Sequence, residues 1–345
     1  MSAPGTMSVR DQSLIAGIDI GGTKIGVCVG TSDGRVHASD RLGVDRSRAP
    51  EEMLGECRDA LVRLIEQRGR TLADIQAVGC ACPGPLDYAA GRFINPPNNP
   101  RWHGFGLRDW LKSSFACPSA MMNDANAAAL AEYLWGAARD SLSSVFLTMS
   151  TGMGAGLILD GRLYEGPHGL AGEIGRIRLR DTDDGPVGFG RRGSVEGYCS
   201  GPGMSQLAMS EATAATHRSE TSLLARIVAE HGGITSEQLC RAAMQGDAPA
   251  RRATDRAAAE LGRIMAIMAD ILNPELFVLG TIGTAYPDLF IPRATEVLKR
   301  EALPAVTERI RILPSGLSDR GNQQALAVAA RLLTGEGDIA RGARP

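Results

Sequence analysis

The feature of the sequence that most constrains the fold is a local pattern that occurs twice. The apolar segment Leu14–Asp19 leads into a glycine turn and a second strand, after which Asp33-Gly34 predicts a tight hairpin. The second half starts over, with a strand at Ser144–Met149, a glycine loop at Ser150–Gly156 and a hairpin turn at Asp160-Gly161. We therefore expect two α/β halves related by structural duplication.

Length and composition exclude several function classes. A chain of 345 residues is too long for one core and suits two domains. The net charge of -2 provides no basic surface for nucleic acid. The seven cysteines are odd in number and mostly isolated, which argues against a disulfide framework and favours a reducing cytoplasm. Residues 1–12 lack the apolar region of a signal peptide, and no apolar run is long enough to span a membrane.

The first candidate motif is the turn that follows Asp19. Gly21 and Gly22 allow backbone amides to approach a phosphate closely, while Thr23 and Lys24 add a donor and a positive charge. Asp19, at the strand end, is suited to hold magnesium through water. An ordinary hairpin turn is the alternative. The spacing does not match the GxxxxGK[ST] phosphate loop.

The second candidate motif is the glycine string that contains Thr151, Gly152 and Gly154. Such a string alone is a weak signal. A dinucleotide-binding fold requires a helix after it, whereas Leu157–Gly161 predicts a strand and a turn, which argues against a dehydrogenase. Two glycine loops in matching positions of two halves are suited to hold one triphosphate between them.

Carboxylates and amides form the third group of candidates. Asn123 and Asp124 begin a predicted helix, where one such side chain is enough for the cap. A carboxylate at that position can accept a hydroxyl proton during phosphoryl transfer. Glu173 and Glu196 can accept hydrogen bonds from neighbouring sugar hydroxyls. The alternatives are a simple helix cap and two solvated surface acids.

Periodicity and turn residues predict the remaining elements. They are a helix from Pro50, a strand at Ile75–Cys82, an irregular loop at Asn95–Arg101, an exposed loop at Asp181–Gly193, helices from Met204 to Leu272, a strand at Leu276–Leu279, a helix at 285–299, and a last helix at Gln323–Leu333.

These strings together resemble the ROK family of sugar kinases, within the actin/hexokinase-like ATPase superfamily. The resemblance covers most of the chain. It runs through Asp19–Lys24, Pro83–Pro85, Asn98 to Trp102, Asn123–Glu132, Ser150–Gly156, Ala171–Glu196, Asn273–Glu275 and Val278–Gly280.

The resemblance implies a fold of two lobes of the actin-like (ribonuclease H-like) ATPase type, with a nucleotide and sugar cleft between them. The lobes would be 14–134 plus 322–334, and 135–321, with flexible tails at 1–13 and 335–345. The last helix would cross back onto the first lobe. A homodimer or larger homo-oligomer is also implied.

The same resemblance implies ATP-dependent phosphorylation of a hexose or N-acetylhexosamine, as in a glucokinase. Asp124 would be the catalytic base, and both glycine loops would hold ATP phosphates with magnesium. The expected sugar contacts are Asn98, Asn123, Glu173 and Glu196, and Gly280 would lie near the adenosine.

The chain departs from the family where the family usually binds a structural zinc. The four ligand positions read Arg176, Val187, Phe189 and Ser194, so we expect no zinc. Packing of Val187 and Phe189 is expected to hold the loop instead. Arg176 would donate to a sugar hydroxyl or to Glu173, or else point to solvent. A smaller departure is Thr281, where the family commonly has a second glycine.

A non-catalytic sugar-binding or regulatory member of the same family is the alternative function. Family repressors carry a winged-helix domain before the first glycine loop, and the residues that precede Leu14 are too few to fold one. An enzyme must keep Asp19, Asp124 and both loops, as this chain does. The sequence favours the kinase and does not name its sugar.

Overall fold

A computed structural model describes residues 13–96 and 99–334. The chain divides into two compact units. The described parts of 13–142, 156–171 and 316–334 form unit 1, and residues 143–155 and 172–315 form unit 2. The lobe bounds expected from the family resemblance stay a prediction, and all but Ser13 of the expected tails lies outside the described residues.

The secondary structure alternates strands and helices. The strands are β1 Leu14–Ile20, β2 Lys24–Thr31, β3 Val36–Gly43, β4 Ala77–Cys82, β5 Leu86–Asp87, β6 Arg92–Phe93, β7 Ser119–Asn123, β8 Ser144–Met149, β9 Met153–Leu159, β10 Arg162–Tyr164, β11 Val187–Gly188, β12 Arg191–Arg192, β13 Leu276–Leu279 and β14 Arg311–Pro314. The helices are α1 Pro50–Glu66, α2 Leu107–Ser114, α3 Asp124–Trp135, α4 Val195–Cys199, α5 Gly201–His217, α6 Leu223–His231, α7 Ser236–Met244, α8 Ala248–Leu272, α9 Thr281–Ala285, α10 Pro287–Glu301, α11 Pro304–Thr307 and α12 Arg320–Thr334.

Two five-stranded sheets have the same strand plan. The first sheet has the order β3-β2-β1-β4-β7, and the second has the order β10-β9-β8-β13-β14. In the first sheet β4 pairs in parallel with β1 and β7, and in the second sheet β13 pairs in parallel with β8 and β14. The edge pairs β2–β3 and β9–β10 are antiparallel. The duplication predicted from the sequence is confirmed.

The last helix packs on the first sheet through glycines. A Cβ added at Gly17 of β1 would lie 2.8 Å from the Cβ of Ala325, and one at Gly79 of β4 would lie 2.2 Å from the Ala325 carbonyl oxygen. Only residues without a side chain allow α12 to approach the strands so closely. This contact puts the first turn of α12 beside the end of β1.

Two predicted elements were wrong in their extent. The glycine loop predicted at Ser150–Gly156 is shorter, because β9 already begins at Met153. The buried side chains on this strand and its close packing explain the difference: a Cβ at Gly156 would lie 2.2 Å from the carbonyl oxygen of Ala125. Glycine there serves packing rather than a turn.

The other difference lies in unit 2. The exposed loop predicted at Asp181–Gly193 contains the paired strands β11 and β12. The helix predicted at 285–299 is confirmed as α10, which begins at Pro287, and the separate short helix α9 precedes it. Within the described residues, no helix is both long and apolar enough to cross a membrane. A cytoplasmic location stays a prediction.

Candidate active site

The first glycine turn lies in unit 1 between β1 and β2. The Gly21 N–H donates to the Lys24 carbonyl oxygen at 2.9 Å, and a Cβ at Gly21 would lie 2.8 Å from the same oxygen. Gly21 is therefore required by the close approach of the backbone. Thr23 and Lys24 are exposed, and the Gly22 carbonyl oxygen lies 3.5 Å from Nη2 of Arg46. The turn therefore has an exposed hydroxyl and an exposed cationic side chain beside its glycine backbone.

Asp19 is the half-buried residue next to the end of β1. The Nε2 of Gln324 donates to Asp19 Oδ1 at 2.5 Å, and a Cβ at Gly321 would lie 2.7 Å from Asp19 Oδ2. The pKa of Asp19 is raised to about 7, mainly by burial and also by repulsion from Asp124, while the bond from Gln324 and the charges of Arg320 and Arg41 act in the opposite direction. The two carboxylates therefore share one region of unit 1.

The start of α3 holds the candidate base. Asn123 is the N-cap, because its Oδ1 accepts from the N–H groups of Ala125 at 2.9 Å and Asn126 at 3.4 Å. Asp124 Oδ1 accepts from the Ala125 N–H at 2.9 Å. Asn123 is therefore the N-cap residue, Asp124 binds the same N–H, and the role of Asp124 as catalytic base stays a prediction.

A tyrosine that sequence reasoning missed supports this motif. The Oη of Tyr88 accepts from the backbone N–H of Asn123 at 2.9 Å, and burial raises the pKa of the Tyr88 phenol. A Cβ at Gly169 would lie 2.1 Å from the Tyr88 ring. No local sequence signal identifies Tyr88, because the contact joins residues that are far apart in the chain.

One predicted sugar contact, Asn98, lies outside the described residues. The next residue, Asn99, is buried, with a relative exposure of 2%. Both polar atoms of its side chain are without a hydrogen-bond partner in the part of the chain that the structure describes.

The second glycine turn lies in unit 2. It is closed by a bond from the Ser150 N–H to the Gly152 carbonyl oxygen at 3.0 Å, and Thr151 is exposed. Gly154 lies inside β9 rather than in this turn. A Cβ at Gly152 would lie 3.0 Å from Glu196 Oε2, so the turn and this carboxylate are in contact.

Glu196 joins two backbone segments of unit 2. Its Oε2 accepts from the Met153 N–H at 3.2 Å, and its Oε1 accepts from the Phe189 N–H at 3.1 Å. Burial raises the pKa of Glu196, these two bonds lower it, and the nearby Glu173 raises it. Each carboxylate oxygen has a second acceptor position in addition to these bonds.

Glu173 and Arg176 lie close to this carboxylate. Desolvation by the surrounding protein raises the pKa of Glu173, and the charge of Arg176 lowers it. The Arg176 guanidinium carbon lies 5.8 Å from the ring centroid of Phe189, a cation–π contact. Unit 2 thus brings Glu173, Glu196 and Arg176 close together, and Phe189 contacts Glu196 and Arg176.

Gly280 begins α9 at the end of β13. Its N–H donates to the Leu147 carbonyl oxygen at 2.9 Å, and a Cβ there would lie 2.6 Å from the Phe146 ring. The next residue, Thr281, has a φ of 33°, a left-handed conformation that is unfavourable for a β-branched residue. Because this chain has Thr281 where a second glycine was expected, the backbone is strained at this position.

The residues at the expected zinc positions do not fit a zinc ion. Arg176 carries a positive charge, Phe189 has no lone pair, and the buried Ser194 uses its hydroxyl to cap α4. No group of three or more His, Cys, Asp or Glu side chains suited to a metal ion occurs among residues 13–96 and 99–334. The prediction that Val187 packs to hold the loop was wrong, because its side chain is 36% exposed and its backbone is bonded to Gln206.

Residues 15–331 match the ROK family. The chain belongs to the ROK family. A glucokinase from Halalkalibacterium halodurans is 29% identical over 292 residues, which are 85% of this chain and 87% of that protein. An N-acetylmannosamine kinase from Escherichia coli O9:H4 is 34% identical over 271 residues, 78% of this chain and 83% of the relative.

ROK relatives also include a regulator and solved kinase structures. A xylose repressor from Caldicellulosiruptor bescii is 27% identical over 326 residues, 90% of this chain and 76% of the repressor. The crystal structure of a ROK glucokinase from Streptomyces griseus, in complex with glucose and AMPPNP, matches with a TM-score of 0.72 and 27% identity over 92% of this chain and 98% of that chain. The fold is thus the actin-like ATPase fold of ROK kinases.

Proposed function

We propose that this ROK protein transfers the terminal phosphoryl group of ATP to a hydroxyl of a hexose or an N-acetylhexosamine. The observation that carries the proposal is the carboxylate pair of unit 1, Asp124 at the start of α3 and Asp19 near the end of β1. A sensor needs neither a base nor a partner for magnesium. The glucokinase and N-acetylmannosamine kinase relatives support the same reaction class.

Asp124 is the proposed general base. It accepts the proton of the sugar hydroxyl, whose oxygen attacks the terminal phosphorus of ATP as ADP leaves. The N-terminus of α3 favours the ionised carboxylate, and the bond from the Ala125 N–H fixes one of its oxygens. Asn123 holds the start of the helix in place, and the proposed sugar contacts are Asn98, Asn123, Glu173, Arg176 and Glu196.

The two glycine turns are the proposed sites of the ATP phosphates, and Gly280 lies near the adenosine. The chemistry of Asp19 fits a hydrated magnesium ion, because a second carboxylate, Asp124, lies near it and magnesium prefers oxygen ligands. When bound with ATP, the ion supplies charge neutralisation at the phosphates. Lys24 adds a positive charge beside the same turn.

A non-catalytic sugar sensor is the second candidate, and the similarity to a xylose repressor favours it. Such a protein binds sugar and releases no ADP. The homo-oligomer and the absence of zinc stay predictions in either case.

An ADP-release assay over a panel of sugars tests the proposal. Glucose, mannose, fructose, N-acetylglucosamine and N-acetylmannosamine are each supplied with ATP and magnesium, and binding of each sugar is measured in parallel by calorimetry. Sugar-dependent ADP release supports the kinase. Sugar binding without ADP release would select the sensor.

A further inference from the structure

A short hairpin in unit 2 lies beside the proposed sugar-binding side chains. It consists of β11, β12 and the turn Phe189-Gly190 between them, and is called the 187–192 hairpin below. The two turn residues have φ values of 50° and 67°. A left-handed conformation is unfavourable for an aromatic residue, so the surrounding contacts must hold Phe189 in place.

Ser194 holds the hairpin from the buried side. Its side chain is fully buried, and its Oγ accepts from the Gly197 N–H at 3.1 Å at the start of α4. The same Oγ lies 3.0 Å from the Gly188 carbonyl oxygen and 3.1 Å from the Arg191 carbonyl oxygen, one from each strand. One hydroxyl therefore connects both strands of the hairpin to the helix that carries Glu196.

Gln206 of α5 holds the hairpin from the exposed side. Its Oε1 accepts from the Val187 N–H at 2.9 Å, and its Nε2 donates to the Val187 carbonyl oxygen at 2.9 Å. The backbone N–H and C=O of Val187 are thus both bound by the Gln206 amide, as the backbone of a neighbouring strand would bind them.

Phe189 of the hairpin contacts two side chains of the proposed sugar site. The Phe189 N–H donates to Glu196 Oε1 at 3.1 Å, and the Phe189 ring lies under the Arg176 guanidinium. The other oxygen of Glu196 accepts from Met153, next to the second glycine turn. The orientation of Glu196 and Arg176 therefore depends on where the hairpin holds Phe189.

We propose that Ser194 and Gln206 are positioning residues for sugar binding. They lock the 187–192 hairpin without a metal ion, so that Phe189 orients Glu196 and Arg176 toward the sugar hydroxyls. The proposal rests on the proposed function for the role of those two side chains. It assigns Ser194 and Gln206 no contact with the sugar.

The test uses Gln206→Leu in the full chain, since an exposed position tolerates the change. Gln76→Leu is the matched control: Gln76 is exposed, and its side chain has no hydrogen bond among the contacts of the described residues. For Gln206→Leu we expect the sugar KM to rise by about 3- to 10-fold, the scale of one or two hydrogen bonds. The kcat and the KM for ATP should change by less than about twofold.

Hydrogen–deuterium exchange of the peptide that contains Phe189 provides a readout independent of activity. Exchange in this peptide should be faster in Gln206→Leu and unchanged in Gln76→Leu, and Gln206→Glu, which keeps only the acceptor, should be intermediate. Ser194→Ala should also make exchange in this peptide faster, by a larger amount than Gln206→Leu. Chelator treatment of the wild-type protein should leave the exchange as it is.

Three results would overturn the proposal. One is faster exchange with an unchanged sugar KM, because the hairpin would then be structural only. The second is unchanged exchange in Gln206→Leu, and the third is exchange in the wild type that depends on zinc. If the wild type releases no ADP with any sugar, the proposed function fails, and the sugar Kd replaces the KM: a weaker Kd in Gln206→Leu alone supports the positioning role, and an equal Kd overturns it.

Discussion

The two glycine turns share one strand plan and differ in the side chains that support them. Asp19 and Thr148 are the matching residues, each next to the end of the first strand of its sheet and each half-buried. In unit 1 the first turn of α12 supports the turn through Gly321 and Gln324. In unit 2 the support comes from Glu196 at the start of α4, which binds backbone N–H groups.

The two units have the same strand order, and their different side chains indicate different roles. Unit 1 holds two carboxylates close together, at a cost in desolvation that raises the pKa of Asp19. Unit 2 has an uncharged Thr148 at the matching position, and its carboxylates lie where they can accept hydroxyl protons in hydrogen bonds. We infer that the proton and metal chemistry belongs to unit 1, and that unit 2 provides binding contacts.

The largest expected effect is that of Asp124→Asn in unit 1. The change should lower kcat by roughly 10²- to 10⁴-fold, because Asn keeps the shape and cannot accept the hydroxyl proton. Sugar binding should remain largely intact. The matched control is Asp109→Asn, an exposed aspartate in the first turn of α2, which should keep wild-type kinetics. Steady-state kinetics decide, and a variant with more than about a tenth of the wild-type kcat contradicts the base assignment.

Asp19→Asn should lower activity and raise stability. The pKa of Asp19 is about 7 in the folded chain and 3.8 when exposed, so the folded state binds the proton more tightly. Wild-type stability therefore falls as pH rises from about 4 to 7, by up to about 4 kcal/mol. In magnesium-free buffer, the melting-temperature advantage of the variant should grow over that window and level off above it. The exposed Asp40→Asn is the control, and a pH-independent difference would count against the assignment.

Thr281→Gly tests the strained turn after β13, which has no matching strain at the end of β4. Glycine adopts a φ of 33° without steric cost, and the variant should be more stable by roughly 0.5–1 kcal/mol. Thr281→Ala keeps the strain and should bring no such gain. Urea unfolding of both variants provides the measurement. Equal stability of the two would show that the backbone conformation is not the cause.

The smallest expected effect is that of metal removal. Unit 2 holds the 187–192 hairpin through Ser194 and Gln206, so zinc analysis of protein purified without chelator should find none bound. Chelator treatment should leave the melting temperature unchanged, and activity should return fully with magnesium. Near-stoichiometric zinc in the purified protein contradicts this prediction.

Local sequence patterns predicted most of the strands and turns of the two sheets. The bounds of β8 and β13 and the hairpin turns at Asp33-Gly34 and Asp160-Gly161 follow from apolar runs and turn residues, which act between neighbours in the chain. The supports of the site could not be predicted in this way. Gln324 bonds to Asp19 across 305 residues, and the contact exists only because α12 packs on β1.

The most direct test of the central claim is a count of products by phosphorus NMR. The protein is supplied with ATP, magnesium and the sugar that gives the highest rate of ADP release. We predict that sugar phosphate and ADP form in equal amounts, and that Asp124→Asn forms neither at a comparable rate. ADP with inorganic phosphate in place of sugar phosphate, or no reaction with a sugar that binds, would contradict the assignment of unit 1 as the catalytic half of a sugar kinase.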